Sequence, residues 1–148
     1  MAERFVDDYL LYLLARASSE VSAQFHTRLK QHGLQVPEWR VLASLSDGDG
    51  MTVGELAARA LQRQPTMTKI INRMEISGLI ERRQGAPDRR QVRIHITPEG
   101  RHRINRALAD AKAHETDVLS DYGPKEAALL KSMLQALIDR NGALQHED

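Results

Sequence analysis

Residues 61–97 read LQRQPTMTKIINRMEISGLIERRQGAPDRRQVRIHIT, and the order of patterns within them decides the fold. Pro65 suits the first turn of a helix, because its missing N–H falls among donors that have no intrahelical acceptor. Met67, Ile70, Ile71 and Met74 recur at helical spacing and make one apolar stripe. Lys69, Asn72 and Arg73 fall on the opposite side, flanked by Thr66 and Thr68. Ile76 lies off the stripe, and the sequence offers no reason for it. Gly78 is the residue type that closes such a helix by taking positive φ. Val92, Ile94 and Ile96 then alternate with Arg93 and His95, the period of a half-buried strand. GLIERR (78–83) is its natural antiparallel partner, which puts Gly85, Ala86 and Pro87 at a hairpin tip.

A helix with a cationic outer face fits the major groove of DNA, and a hairpin with a basic tip reaches the neighbouring backbone or minor groove. The expected fold is therefore mainly α: an α+β winged helix-turn-helix, with about six helices and a small antiparallel β-hairpin wing. Charge supports this. Between Arg59 and Arg93, nine Arg or Lys stand against three Asp or Glu, a net +6 in a chain whose total is +1, leaving −5 for the rest. A basic block in an otherwise acidic chain is the footprint of a polyanion-binding face.

The chain of 148 residues has the length of one elaborated domain. It contains no cysteine, which excludes disulfides, thiolate metal sites and thiol redox sensing. No apolar run is long enough to span a bilayer and no secretory leader opens the chain, so no membrane partner and a cytoplasmic location are expected. The six histidines show no close ligand pair, and no nucleophile elbow, phosphate-cradling glycine loop or carboxylate dyad is present. The sequence thus points to no enzyme, no metal and no cofactor.

Taken in order, residues 5–32 read as one long helix with Phe5, Tyr9, Leu13, Val21, Phe25 and Leu29 among its apolar side, stopped at Gly33. So long a helix carries more apolar surface than a small winged domain covers. Pro37 opens PEWRVLASL, with Trp39, Leu42 and Leu45 on one face, and DGDG (47–50) ends it. Thr52 and Glu55 form a capping box that starts a third helix through about Ala60. A turn around Leu61 to Gln64 leads to the groove-facing helix. After the hairpin, Thr97 caps a helix carried to about Ser120, and Tyr122-Gly123-Pro124 breaks it. A last helix places Ala127, Leu130, Met133, Leu134, Leu137 and Ile138 on one stripe. The expected division is a winged DNA-binding domain at 35–98 and a helical dimerisation region from 1–34 and 99–148.

These residues resemble the MarR family of bacterial transcription regulators, over nearly the whole chain. PEWRVLASL is similar to the family's second helix and MTVGELAARA (51–60) to its third. GLIERR, then PDRRQVRIHITPEG (87–100), is similar to the family wing and the helix after it, the most specific match. Two departures are Val36, where a Ser or Thr cap often precedes Pro37, and Gly123, where the last helix usually has a Ser cap. The resemblance implies a homodimer of triangular outline on double-stranded DNA carrying a palindromic operator, most often as a repressor. It also implies release of DNA by a small phenolic or carboxylate effector bound between the dimer region and the winged domain.

The DNA-binding candidates on the helix are Gln64, Thr66, Thr68, Lys69 and Arg73, since Arg can be bidentate to guanine and Thr offers a methyl to thymine. On the wing they are Arg89 as a phosphate contact and Arg90, which the resemblance sends into the minor groove. Asp88 and Arg90, two apart in extended chain, point to one side, so the carboxylate orients the guanidinium. A plain surface ion pair is the rival, worth under about 1 kcal/mol. Arg82 and Arg83 alternate faces, so one reaches DNA and the other supports the hairpin. Conceivable effector lining is Tyr9, Tyr12, Leu13, Arg16, Trp39 and Arg40, with Arg16 alone among apolar neighbours; its rival is a structural ion pair with the aromatics as core. Two other functions stay open: a winged-helix module for protein–protein contact, and a DNA-binding regulator without a ligand.

Overall fold

The computed structural model describes residues 4–84 and 91–144. The elements run α1 (Leu10–Gln31), α2 (Val36–Leu45), α3 (Val53–Arg59), α4 (Gln64–Ile76), β1 (Ile80–Gln84), β2 (Val92–Ile96), α5 (Pro98–Val118) and α6 (Pro124–Leu144). The architecture is the mainly helical winged helix-turn-helix expected, with an antiparallel hairpin in which Ile80 faces Ile96 and Arg82 faces Ile94. None of the described helices is long and apolar enough to cross a membrane.

The chain forms two compact units, one up to Ala111 and one from Lys112 onward. The first holds the core. Leu42 and Leu45 of α2, Leu56 of α3, the Met67–Ile70–Ile71–Met74 stripe of α4, Ile94 of β2 and Ile104 of α5 are all buried. Val41 is buried with them, a residue the one-face reading of α2 left out. In the second unit the anticipated stripe of α6 lies open, with Met133 58% and Ile138 62% exposed.

Three helices end in the same way. The N–H two residues past the cap bonds back to a carbonyl five residues earlier, and the residue between takes positive φ. At α1 this is Leu34 N–H to Leu29 O (3.1 Å) with Gly33 at φ 68°, and Leu29 and Leu34 are both buried. At α4 it is Leu79 N–H to Met74 O (3.0 Å) with Gly78 at φ 78°. At α3 it is Gln62 N–H to Ala57 O (2.9 Å), with Leu61 rather than a glycine at φ 58°.

Several expected boundaries move. The first helix is not continuous from Phe5: Phe5–Asp8 is one 3-10 turn and Tyr9 is extended before α1 begins at Leu10. Asp7 accepts the Arg4 N–H (3.4 Å), a local bond of the kind by which short polar side chains divert the backbone from a helix. Val36 is not the cap of α2 but its first residue. Gln35 is the cap, with its N–H bonded to the Glu38 carboxylate (2.9 Å). The helix after the wing stops at Val118, short of Ser120. Met51 also pairs with Ile94, so the segment before α3 adds a bridge to the wing.

Candidate nucleic-acid interface

Thr52 starts α3 as read from the sequence: its hydroxyl accepts the Glu55 N–H (3.2 Å) and Glu55 accepts the Thr52 N–H (3.2 Å). That closed box fixes α3, whose buried Leu56 and Ala57 form part of the bed for α4. Because Met67, Ile70, Ile71 and Met74 face inward, Gln64, Thr66, Thr68, Lys69 and Arg73 are all exposed, as is the apolar Ile76 at the end of α4. Thr68 donates its hydroxyl to Gln64 O (3.0 Å), so its remaining functions toward a ligand are an acceptor oxygen and a methyl. No side chain caps the start of α4, where the cap position is Arg63. The positive end of the helix is therefore open to an anion.

The cations of this region divide into two sets. Arg59, Arg63, Lys69 and Arg73 are exposed on α3, the turn and α4, and form no ion pair with a described residue. The described cations of the hairpin, Arg82, Arg83 and Arg93, are engaged within the protein. Arg82 on β1 reaches back to α4, donating from Nη1 to Glu75 Oε1 (2.6 Å) and from Nη2 to Asn72 Oδ1 (2.5 Å), while its backbone N–H meets Glu75 Oε2 (3.2 Å). Arg83 pairs with Glu81, two residues back on the same side of the strand (Nε to Oε1, 2.7 Å). Arg93 donates to Gly50 O (3.2 Å). Of the two adjacent arginines, Arg82 is thus the support of the hairpin. The link to Glu75 and Asn72 was not read from the sequence, where Asn72 counted only as part of the polar face.

The wing is also tied to α5. The Thr97 hydroxyl donates to Gly78 O (2.6 Å) and accepts the Gly100 N–H (3.1 Å), so one side chain caps α5 and holds the end of α4. A Cβ on Gly100 would stand 2.1 Å from Leu79 O, which explains a glycine in the first turn of a helix. Asp88, Arg89, Arg90 and the hairpin tip Gly85–Pro87 lie outside the described residues.

Of the residues named as effector lining, Arg16 and Tyr12 contact each other, while Tyr9, Trp39 and Arg40 contact residues outside the set. Tyr9 stacks on Phe5 (centroids 5.0 Å) and Trp39 meets Phe25 edge-on (5.0 Å). Arg40 donates to Ala60 O (3.2 Å), and Leu13 is exposed on α1. Arg16 is not isolated: it donates to the Tyr12 hydroxyl (3.0 Å) and to Glu20 (3.1 Å). The Tyr12 hydroxyl first and Glu20 second hold its pKa above the usual guanidinium value. Among the described residues no three His, Asp or Glu gather to hold a metal ion.

A profile described as MarR family matches residues 32–91. The crystal structure of a MarR family transcriptional regulator from Silicibacter pomeroyi is similar over 93% of this chain and 98% of that one, with 45% identity and a TM-score of 0.82. The homoprotocatechuate degradative operon repressor of Escherichia coli is 27% identical over 140 residues, 95% of each chain. The HTH-type regulator YsmB of Bacillus subtilis is 31% identical over 109 residues, 74% of this chain and 75% of its own. An exposed cationic helix beside a braced hairpin, in a chain with these relatives, belongs to the MarR family: the protein is a DNA-binding transcriptional regulator and not an enzyme.

Proposed function

We propose that the protein acts in the cytoplasm as a homodimer that occupies a palindromic promoter operator and represses by excluding polymerase. The observation that carries the DNA-binding face is the set of exposed cations Arg59, Arg63, Lys69 and Arg73, which run from α3 to the last turn of α4 and have no ion-pair partner among the described residues, beside a start of α4 that no side chain caps. Each α4 enters a major groove, the two grooves about one helical turn apart on one side of the duplex. Gln64, Thr66, Thr68, Lys69 and Arg73 share base edges and phosphates. Arg89 contacts phosphate, and Arg90, oriented by Asp88, reaches the minor groove or clamps its phosphates. Residues 35–98 serve as the winged DNA-binding domain, and 1–34 with 99–148 as the dimerisation region. The exposed apolar rows on α1 and α6 support the second role, since contiguous apolar surface marks an interface. Repression as the outcome draws on the Escherichia coli relative, which is named as an operon repressor.

Selection of bound sequences from a random DNA pool tests this reading. A palindrome with half-sites one turn apart is the expected result, and Arg90→Ala should weaken binding to every selected sequence alike. Enrichment of no sequence, or full affinity in Arg90→Ala, would remove the operator or the wing from the mechanism.

A phenolic or carboxylate effector held by Tyr9, Tyr12, Leu13, Arg16, Trp39 and Arg40 belongs to the same proposal. Here one observation favours a second reading. Glu20 already answers the Arg16 charge, so a carboxylate would have to displace it. DNA binding without a ligand at this place is the alternative. A thermal-shift screen with aromatic carboxylates separates the two, because only the first predicts a compound that raises the melting temperature.

A further inference from the structure

The end of α1 and the first turns of α5 border a half-open cleft of about 620 Å³ that the interface above does not use. Its size falls within the roughly 300–1,000 Å³ of small-molecule sites. Gln31 at the end of α1 and His32 just after it line one side; Glu99, His102, Arg103 and Arg106 line the other from α5. His102 and Arg106 are one helical turn apart, on the same side of α5, and neither has a hydrogen-bond or ion-pair partner among the described residues. Among the described residues the ion-pair partner of Arg103 is Glu99, at 3.8 Å, beyond hydrogen-bond length. The Arg103 Nη1 lies 3.8 Å from where a Cβ on Gly33 would stand, which places the guanidinium beside the turn that ends α1. His32 is held from behind, with Nε2 2.7 Å from Asp110 Oδ2 and Arg28 on the other oxygen at 3.8 Å. The ring is therefore fixed at the cleft wall, with Nδ1 as its remaining polar atom.

We propose that this cleft binds a small oxyanion, a phosphate or a carboxylate, on Arg103, Arg106 and His102. Two guanidinium groups three residues apart on a helix can each offer a forked pair of N–H donors to one oxyanion. Glu99 is the competing anion. An entering oxyanion takes its place on Arg103, which costs little because the Glu99–Arg103 contact is long and solvent-exposed. The site borders the end of the DNA-facing helix, because Gly100, between Glu99 and His102, packs on Leu79 O. It is distinct from the aromatic region around Trp39, and its existence does not depend on the operator reading.

The test uses the full-length, DNA-free protein labelled with nitrogen-15, titrated with sodium phosphate and separately with sodium benzoate against sodium chloride at equal ionic strength. The expected result is saturable movement of amide signals at Gln31–Gly33 and Glu99–Arg106 with at least one of the two anions. Phosphate alone identifies a phosphate site, and benzoate alone a carboxylate site. Arg106→Gln should weaken that binding about tenfold, the loss of one charge-assisted contact. Glu99→Gln should tighten it, a change of opposite sign that a folding defect does not produce. Movement confined to residues 59–73, no saturation with either anion, or equal affinity in wild type and Arg106→Gln would overturn the proposal. DNA binding measured without added anion reports on the regulator itself, so the two readings fail separately.

Discussion

Leu61 carries a β-carbon in the left-handed region, at φ 58°, where glycine closes the two comparable helix ends. That conformation costs a non-glycine residue on the order of 1 kcal/mol. The side chain is 74% exposed, so little burial offsets the cost. Leu61→Gly should therefore raise stability by about 0.5 kcal/mol, the relief of strain less the added freedom of the unfolded chain. A urea melt with a lower midpoint would show instead that the exposed leucine packs against something. Gly100 is the opposite case. A methyl there meets backbone rather than a movable side chain, at 2.1 Å from Leu79 O. Gly100→Ala should lose about 2–3 kcal/mol, in the range of overpacked sites, read as a fall in the same midpoint. An unchanged midpoint would mean that α5 shifts freely on the end of α4.

Among the elements, the wing and α4 are joined by Arg82. Its guanidinium spans Glu75 and Asn72, and the side chains of the Arg82–Glu75 pair are about one-third exposed. A double-mutant cycle of Arg82→Gln and Glu75→Gln in chemical unfolding should give a coupling of about 1 kcal/mol, the magnitude of a directly contacting polar pair. Additive effects would reduce the link to a surface contact. This bridge also marks where sequence reading stops. The stripe of α4, the alternation in β2 and the Thr52–Glu55 box were legible because each depends on neighbours within one turn or one strand. Arg82 and Asn72 sit ten residues apart on different elements, and no local period relates them. Gly78 was readable as a helix stop, whereas Leu61 performs the same task without the residue type that announces it. The break at Tyr9 escaped for a related reason: one 3-10 turn followed by α1 leaves almost the same apolar spacing as a continuous helix. The candidates on α4 were placed correctly on an exposed face because burial of the opposite stripe leaves them nowhere else to go.

At the scale of the whole molecule, the question is how many copies of the α4 face meet one duplex. The proposed dimer would cover the exposed rows on α1 and α6, and its twofold pairing would double every phosphate contact. Neutralising on the order of eight phosphates makes log K fall against log salt with a slope near −7. Lys69 is exposed and without an ion-pair partner among the described residues, so its ammonium is available to phosphate. Each lost phosphate contact removes about 0.9 from the slope. Lys69→Ala should therefore flatten it by about 1.8 if two copies bind and by about 0.9 if one does. Fluorescence anisotropy with a selected DNA fragment across a salt series measures this directly, and the larger change is expected. The smaller change, with sedimentation showing a single chain on the DNA, would dismiss the dimer while leaving the α4 face intact. No change in slope would take Lys69 off the phosphate backbone, and with it the orientation of α4 assumed here.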